Sequence, residues 1–363
     1  MNKVMKWSAA AMAAGILIAS SGFTGEASVL AAGNIKNTVQ QTPVALKWKG
    51  TKLSQKGLMS EGNTLIPLTV LRDQLGLPLS YNPGTRTYSI GSGYTQLNME
   101  VSQHGVNTNI NNYYLYEYEV KNINGRIYVP FKLMNDYLGY QGAWDPSTKT
   151  LNISKRILNP ITIKTETLEK ATSDAVYLLH YPKVSGLVNS DAENVINNVL
   201  EQHMKKFNEE SIKEANNRDD SIEHAYQYIQ NYMVTYNRNG VLSLVVDQYG
   251  NTGGAHGGTI RTGFTFSLKD GKLLTANDLL KKSNPTYRTM LNKDLAKKLK
   301  AHEGYLGGFK ALRANPDFNV SENGMLFFFQ QYEYTDYAVG IPTFAYPFDQ
   351  LLPKGTDPFK SYK

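Results

Sequence analysis

The chain is organised around DQYGNTGGAHGGT, residues 247–259, a glycine-dense stretch between the apolar run 241–246 and the alternating run 260–266. Two strands joined by such a loop form a hairpin, because glycine adopts the positive φ angles and close backbone approaches that a tight turn requires. His256 stands at the tip of the predicted loop. No carboxylate, thiol or second histidine stands beside it at metal-ligand spacing, so the pattern favours a shaped turn in which His256 hydrogen-bonds locally.

Strand and helix patterns alternate on either side of this hairpin. Asn189 and the acids after it form a helix-capping pattern, and apolar residues then recur at helical spacing to about residue 215. In the strand predicted at 225–236, every tyrosine has one parity, so these side chains should share one face of a sheet. Further strands are predicted at 176–182, 241–249, 260–268 and 325–330, with a helix at 285–301 and an edge strand at 343–348. This mixture indicates an α+β fold with an antiparallel sheet and packed helices.

An internal repeat precedes the hairpin. LIPLTVLRDQLG, residues 65–76, and YVPFKLMNDYLG, residues 128–139, superpose at a constant offset of 63. In each copy the pattern predicts a strand that ends at Pro and a short helix that begins there and stops at Gly. A second strand, an Asn/Asp-Pro turn and a last strand follow. One such unit is too small to close a core. We therefore expect the two copies to form one α+β domain over residues 46–155.

The repeated domain resembles the N-terminal stalk domain of copper amine oxidases, an accessory module of secreted bacterial proteins. Oxidase chemistry in that family would need a tyrosine within Asn-Tyr-Asp/Glu and a histidine triad. Here Tyr232 is followed by Met233 and Tyr113 by Tyr114, and the six histidines include no His-x-His. The resemblance therefore implies a spacer or a wall contact, and we predict no cofactor and no metal.

The N-terminus predicts a secretory signal peptide over residues 1–31, with a basic start, a short apolar run and a small-residue cleavage pattern. An uncleaved membrane anchor is the alternative, although the apolar run is shorter than the roughly 20 residues that span a bilayer. Residues 32–45 are polar and unpatterned and predict a linker. We expect a secreted, extracellular or cell-wall-associated protein, and the absence of cysteine excludes disulfides and thiolate metal sites.

The formal net charge is +7, and removal of residues 1–31 would leave +6. A basic secreted protein is attracted to anionic wall polymers or to a membrane surface. The alternative is that the charge serves solubility alone, because the lysines are scattered and form no run.

Three motifs in the C-terminal half carry a second resemblance. They are the glycine-dense stretch, DGKLLTANDLL at residues 270–280 and YEYTDYAVGIPTFAYPF at residues 332–348. In this order they resemble the extracellular region of the lysozyme-sensing anti-sigma-V factor, and a similar region precedes the catalytic domain of peptidoglycan deacetylase C. The resemblance implies a deacetylase C-like accessory subdomain at 160–250 and an anti-sigma-V C-terminal-like subdomain at 251–355. The chain lacks the deacetylase His-x-x-x-His pair and the sigma-binding segment, so we expect neither deacetylation nor a nucleic-acid partner.

We predict a secreted, cell-wall-associated, non-catalytic binding protein that recognises peptidoglycan or a lysozyme-like protein. Aromatic side chains concentrate where glycine and proline keep the backbone irregular. Because alternate residues of a strand face the core, we expect about half of the candidates to be structural. The candidate contact residues are Tyr332, Tyr334, Tyr337, Pro342, Phe344 and Tyr346, with His256 nearby.

Two other functions remain open at this stage. Glu333 could be paired with Asp336 or with Asp247 in a wall glycan hydrolase, since two carboxylates at the right separation cleave glycosides. A structural spacer or an inhibitor of an invading lysozyme is the other possibility. The sequence alone does not give the separation of the carboxylates, and acids on a surface loop are usually solvated.

Overall fold

The computed structural model describes residues 42–219 and 221–363. Helices and several antiparallel sheets alternate along these residues, which confirms the predicted α+β class. The predicted signal peptide, residues 1–31, and residues 32–41 of the predicted linker lie outside the described residues. We refer to residues 42–155 as the stalk and to residues 160–363 as the C-terminal region.

The stalk contains two sheets and two short helices. One sheet has the order β10-β11-β4-β3-β1-β13-β12, with β2 beside β1, and the other has the order β5-β6-β7-β8-β9. The elements are β1 (Thr42–Trp48), β2 (Thr51–Lys52), β3 (Gly57–Ser60), β4 (Asn63–Pro67), α1 (Leu68–Asp73), β5 (Leu79–Asn82), β6 (Thr87–Ile90), β7 (Leu97–Ser102), β8 (Gly105–Ile110), β9 (Tyr113–Tyr114), β10 (Lys121–Ile123), β11 (Arg126–Pro130), α2 (Phe131–Tyr137), β12 (Tyr140–Asp145) and β13 (Thr150–Lys155).

The repeat is visible in the backbone of the stalk. Strands β4 and β11 pair antiparallel with Ile66 opposite Val129, two positions that the offset of 63 makes equivalent. The two copies are thus related by an approximate two-fold axis between these residues. They diverge after the helices, because β5 and β6 continue into β7–β9 whereas β13 pairs in parallel with β1. Positive φ angles recur 63 residues apart at Glu61 and Asn124, Gly62 and Gly125, Gly76 and Gly139, and Arg86 and Lys149.

The linker prediction is wrong for residues 42–45. These residues begin β1, which pairs antiparallel with β3 and in parallel with β13. Val44 is fully buried in the stalk core. The segment carries too few apolar residues to show a strand pattern by itself, and pairing with two distant strands makes it part of the sheet.

The C-terminal region contains a five-stranded sheet, β14-β15-β16-β17-β18, and a three-stranded sheet, β19-β20-β21. The boundary predicted between residues 250 and 251 lies inside β17, so the larger sheet is continuous across it. Asn189 caps the long helix α3 as predicted, by accepting hydrogen bonds from the backbone of Asp191 and Ala192. The elements are β14 (Thr162–Ala171), β15 (Ala175–Ser185), α3 (Ser190–Asn216), β16 (Tyr226–Arg238), β17 (Val241–Asn251), β18 (Gly258–Ser267), α4 (Ala276–Leu280), α5 (Tyr287–Lys300), β19 (Phe318–Ser321), β20 (Gly324–Phe328), β21 (Thr343–Pro347) and α6 (Phe348–Leu351).

The tyrosines of β16 do not all share one face. Val234 pairs with Leu244, but Tyr236 pairs with Ser243, so Thr235 is an extra residue that forms a β-bulge. A bulge moves the residues beyond it to the opposite face of the sheet. Tyr232 consequently packs on the α3 side of the sheet, whereas Tyr236 packs in the core around α5 and β20. The parity prediction is wrong for Tyr236 for this reason.

The stalk and the C-terminal region share a hydrophobic core. Met233 of β16, Val245 of β17 and Phe328 of β20 are buried in the cluster that contains Val129 and Leu133 of the stalk. Burial of apolar surface from both parts stabilises their contact. The two parts are therefore packed together and are not joined only by the chain.

A buried ionic cluster crosses the same boundary. Glu322, in the turn between β19 and β20, lies 3.4 Å from Arg156 Nε and 3.2 Å from Arg238 Nη1. Arg156 follows β13 and also donates to the carbonyl and side-chain oxygens of Asn135 in α2. The side chains of Glu322 and Arg156 are each 6% exposed. One carboxylate thus links the end of α2 in the stalk to the end of β16 in the C-terminal region.

His203 of α3 is a largely buried titratable group on the five-stranded sheet. Its ring lies edge-on to Phe264, with 5.1 Å between ring centroids, and its Nε2 has no hydrogen-bond partner among the described residues. Burial, reinforced by the positive charge of Lys206, lowers the pKa of His203 to about 4. Because histidine in an unfolded chain has a pKa of about 6.5, folding disfavours the charged ring.

We expect the protein to lose stability as the pH falls from about 6.5 towards 4, since unfolding lets His203 take up a proton. The stability is fully present above that range, and the loss reaches about 3 kcal/mol at its acid end. Urea unfolding at about pH 7 and about pH 4.5 measures the effect. His203→Leu should flatten this part of the pH profile, whereas His104→Leu, at an exposed position, should not change it. An unchanged slope in His203→Leu would contradict the assignment.

Candidate functional site

The hairpin predicted around residues 247–259 is confirmed, but its loop is shorter than predicted. Strands β17 and β18 extend into the glycine-dense stretch and leave residues 252–257 as the connection. Gly253 has a φ of +83°, which favours glycine. At Gly257, an added Cβ would lie 2.3 Å from the ring of Tyr249. These two glycines let the turn fold back tightly and hold His256 at its tip.

His256 stacks with two tyrosines of the 331–342 loop, and we call His256, Tyr332 and Tyr337 the aromatic triad. The ring centroids of His256 and Tyr337 are 3.7 Å apart, with an interplanar angle of 16°. Tyr332 is tilted beside both, with its centroid 6.3 Å from that of His256 and 5.8 Å from that of Tyr337. Offset and tilted stacking of this kind is favourable for aromatic rings. Three rings from distant parts of the chain thus form one continuous aromatic surface.

Hydrogen bonds hold the triad in this arrangement. Tyr337 donates its hydroxyl hydrogen to the carbonyl of Gly257 at 3.0 Å, and His256 Nδ1 lies 3.1 Å from the same oxygen. The local bond predicted for His256 is therefore present. A neutral imidazole that donates from Nδ1 can accept at Nε2, where the Tyr332 hydroxyl lies 3.2 Å away. Burial raises the pKa of Tyr337, and the nearby Tyr249 and Tyr332 raise it further. Its hydroxyl therefore stays protonated and can donate a hydrogen bond.

Two glutamines that the sequence interpretation missed hold the tyrosine loop against β18. Gln330 accepts from the backbone N–H of Arg261 at 2.9 Å and donates to its carbonyl at 2.8 Å, as a neighbouring strand would. Gln331 accepts from the N–H of Thr259 at 2.7 Å. Between these anchors and the rest of the loop, Tyr332 adopts a φ of +62°, which is costly for a bulky residue. The glutamine pair after an apolar strand is the signal that could have indicated this contact.

The remaining aromatic candidates face the core. In β21, Phe344 and Tyr346 are 7% and 2% exposed, because alternate residues of the strand point inward. Pro342 is also buried. Tyr334 is half-buried, with its ring edge-on to Phe329 at a centroid distance of 5.0 Å. Phe344, Tyr346 and Pro342 are too buried to contact an external ligand, and Tyr334 packs its ring against the core. We therefore restrict the candidate site to the aromatic triad, in which Tyr332 is 55% exposed.

The candidate carboxylates each have a structural partner. Asp247 accepts two hydrogen bonds of 2.8 Å from the guanidinium of Arg261. Glu333 accepts from the backbone N–H of Gln330 at 2.9 Å, and Asp336 accepts from that of Val339 at 3.2 Å. Within residues 42–219 and 221–363, no group of three or more His, Cys, Asp or Glu side chains is placed to hold a metal ion.

Three family profiles match this chain. They are the copper amine oxidase N-terminal domain over residues 46–153, the deacetylase PdaC over residues 169–259, and a protein of unknown function, DUF3298, over residues 277–349. These matches confirm the predicted domain composition, and together they fit a protein associated with the cell wall. His256 lies in the PdaC-like segment, whereas Tyr332 and Tyr337 lie in the DUF3298-like segment. The triad is therefore assembled from both matched segments.

Solved structures of DUF3298 family proteins are among those similar to the chain, and no curated protein matches it. The crystal structure of a DUF3298 family member from Bacteroides fragilis NCTC 9343 is 15% identical, covering 56% of this chain and 98% of its own, with a TM-score of 0.41. That of a DUF3298 family protein from Pseudomonas aeruginosa PAO1 is also 15% identical, covering 53% and 93%, with a TM-score of 0.39. Among the described helices of the present chain, none has the length and apolar character needed to cross a membrane.

Proposed function

We propose that this protein is a secreted, cell-wall-associated, non-catalytic binding protein whose aromatic triad contacts a ligand at the cell surface. The ligand classes are peptidoglycan and a lysozyme-like protein, as the sequence resemblance implies. The observation that carries the proposal is the stack of His256, Tyr332 and Tyr337, which is held by hydrogen bonds and partly exposed. The stalk serves as a spacer or as a second wall contact.

The size and shape of the triad favour a glycan as the ligand. Flat aromatic faces bordered by hydroxyl and imidazole groups suit the apolar face and the hydroxyl groups of a sugar ring. A stable protein interface buries about 800 Å² on each partner around a fully buried core, which is more than two or three rings offer. Preordered rings also lose little conformational entropy when a ligand binds.

The carboxylates support a non-catalytic role. A glycosidase needs one carboxylate as a general acid and a second as a base or nucleophile, both free to face the sugar. Asp247 is held by Arg261 through two hydrogen bonds, and Glu333 and Asp336 cap backbone N–H groups of their own loop. Both oxygens of Asp247 and one oxygen each of Glu333 and Asp336 are therefore engaged in structural contacts.

We expect Tyr332→Ala to weaken binding to insoluble peptidoglycan by roughly 30-fold, the effect of losing a central aromatic contact of about 2 kcal/mol. A sedimentation assay with the whole chain at about 50 mM and about 500 mM salt measures this, because stacking persists where charge attraction is screened. Immobilised lysozyme provides a parallel assay for the protein ligand class.

The matched control is Tyr116→Ala, which removes a tyrosine that is 86% exposed in the stalk. We expect this variant to bind like the unchanged protein. Equal losses in both variants, or binding to peptidoglycan that disappears at high salt, would contradict recognition by the triad. Salt-resistant binding to lysozyme alone, lost in Tyr332→Ala, would assign the triad to a protein ligand instead.

A further inference from the structure

The net charge of the chain is concentrated in one stretch. Residues 281–313 contain nine basic and two acidic side chains, whereas the rest of the chain contains 29 of each. The whole formal charge of +7 therefore arises from residues 281–313, which begin directly after α4. The lysines do not form a run, as the sequence interpretation noted, but they are not evenly scattered either. A localised charge of this size attracts anions more strongly than the same charge spread over the surface.

Helix α5 separates these charges from its apolar residues. Leu291, Leu295 and Leu299 are fully buried against the core. Three lysines, Lys293, Lys297 and Lys300, are exposed, and their spacing of four and three residues places them on one face of the helix, away from the three leucines. With a rise of about 1.5 Å per residue, their Cα atoms span about 10 Å along the helix axis. The outer face of α5 thus carries a row of positive charges about one helical turn apart.

Other basic side chains of the stretch have structural partners. Lys298 lies 2.8 Å from Asp294 and 4.3 Å from the centre of the Tyr346 ring. Arg288 donates to the carbonyl oxygens of residues 312–314 and so holds that loop against α5. In the part of the chain that the structure describes, six lysines of the stretch have no carboxylate within 4 Å, and we call them the basic face: Lys281, Lys282, Lys293, Lys297, Lys300 and Lys310.

A shallow groove of about 370 Å³ lies at the start of α5. It is lined by Asn277, Lys281, Pro285, Tyr287, Arg288 and Ala314. The groove and the row of lysines are both on or beside α5. The groove has room for one anionic group, and the lysines can contact further anionic groups of the same ligand.

We propose that the basic face binds a linear polyanion, a polyol phosphate chain in which phosphodiesters recur along a flexible backbone. A phosphodiester in every three-carbon repeat gives regularly spaced negative charges that can face a row of lysines about one helix pitch, roughly 5.4 Å, apart. Lysine suits this role because its ammonium group is a compact point charge on a flexible stem. The cell-surface setting rests on the proposed function. The basic face shares no residue with the aromatic triad, and charge rather than stacking would bind its ligand.

Binding of poly(glycerol phosphate) by the whole chain, measured by calorimetry at about 30 mM and about 300 mM salt, tests the proposal. We expect binding at low salt that is largely lost at high salt. The triple variant Lys293→Gln, Lys297→Gln, Lys300→Gln should bind about 30-fold more weakly, because it removes three charges from one site. Glutamine keeps the helix propensity of lysine, so thermal unfolding should be unchanged. Lys281→Gln should cause a smaller loss, because it removes one charge at the groove.

The matched control is Lys52→Gln, Lys56→Gln, Lys132→Gln, which removes three exposed charges from the stalk. We expect it to keep most of the binding. Equal weakening in both triple variants would overturn the proposal, since net charge and not the basic face would then be responsible. So would equal binding to polyglutamate, or binding to anionic phosphatidylglycerol vesicles without binding to the polymer. A negative result in this assay would not contradict the proposal that the triad binds peptidoglycan, because that binding is measured separately and at high salt.

Discussion

Replacing Glu322 with alanine should destabilise the protein by about 3 to 5 kcal/mol, which is the usual cost of removing one partner from a buried ion pair. The substitution leaves Arg156 buried without its carboxylate, and Arg238 loses the same partner. A buried cation without compensation is far more costly than an exposed one. Since these residues join the stalk to the C-terminal region, we expect both to unfold at lower urea concentration. Urea unfolding followed by circular dichroism and by tryptophan fluorescence measures this.

The control for Glu322→Ala is Glu119→Ala. Glu119 forms an ion pair of 3.3 Å with Lys121, but its side chain is 73% exposed. Exposed pairs contribute about 1 kcal/mol or less, so this variant should unfold almost like the unchanged protein. If the two variants lose the same small amount, the buried cluster does not stabilise the contact between stalk and C-terminal region.

Gly263→Ala should destabilise the protein by about 3 kcal/mol or more, because no space exists for a methyl group at this position. A Cβ on Gly263 of β18 would lie 1.9 Å from the carbonyl oxygen of Phe318 in β19. The neighbouring Ser243 accepts a hydrogen bond of 3.0 Å from the N–H of Val320, so β19 is held close to the larger sheet at this point. Backbone atoms cannot move aside as a flexible side chain would. Chemical denaturation measures the loss.

Gly258→Ala is the matched control in the same strand. Apart from Gly258 itself and its two chain neighbours, no atom lies within 4 Å of the position that its Cβ would occupy. We expect no destabilisation there, and replacement of glycine by alanine can even stabilise by about 0.4 to 1 kcal/mol by restricting the unfolded chain. A small effect at both positions would mean that β18 and β19 separate easily.

The contact at Gly263 also bears on the candidate site. Strand β18 and its hairpin carry His256, whereas the chain that follows β20 carries Tyr332 and Tyr337. A change that separates β18 from β19 should therefore separate the two halves of the aromatic triad. We expect Gly263→Ala to lose the triad-dependent binding at temperatures where Gly258→Ala retains it.

Local signals in the sequence determined much of the fold. The repeat, the cap of α3 and the central hairpin were predictable, because capping residues, turn residues and strand periodicity act over a few neighbouring positions. The repeat offset of 63 pairs Ile66 with Val129, and the structure places these two residues opposite each other in neighbouring strands. The concentration of charge in residues 281–313 can also be counted directly from the sequence.

The tertiary structure decided which of these residues are available to a ligand. Pairing with β20 decides which side chains of β21 point inward, so Phe344 and Tyr346 are buried although they belong to the same aromatic-rich stretch as the exposed Tyr332. One extra residue at Thr235 moves Tyr236 to another face, which parity alone cannot reveal. His256 meets Tyr332 across a separation of 76 residues. Contacts of this kind follow from packing and strand register over the whole chain, and no short segment contains that information.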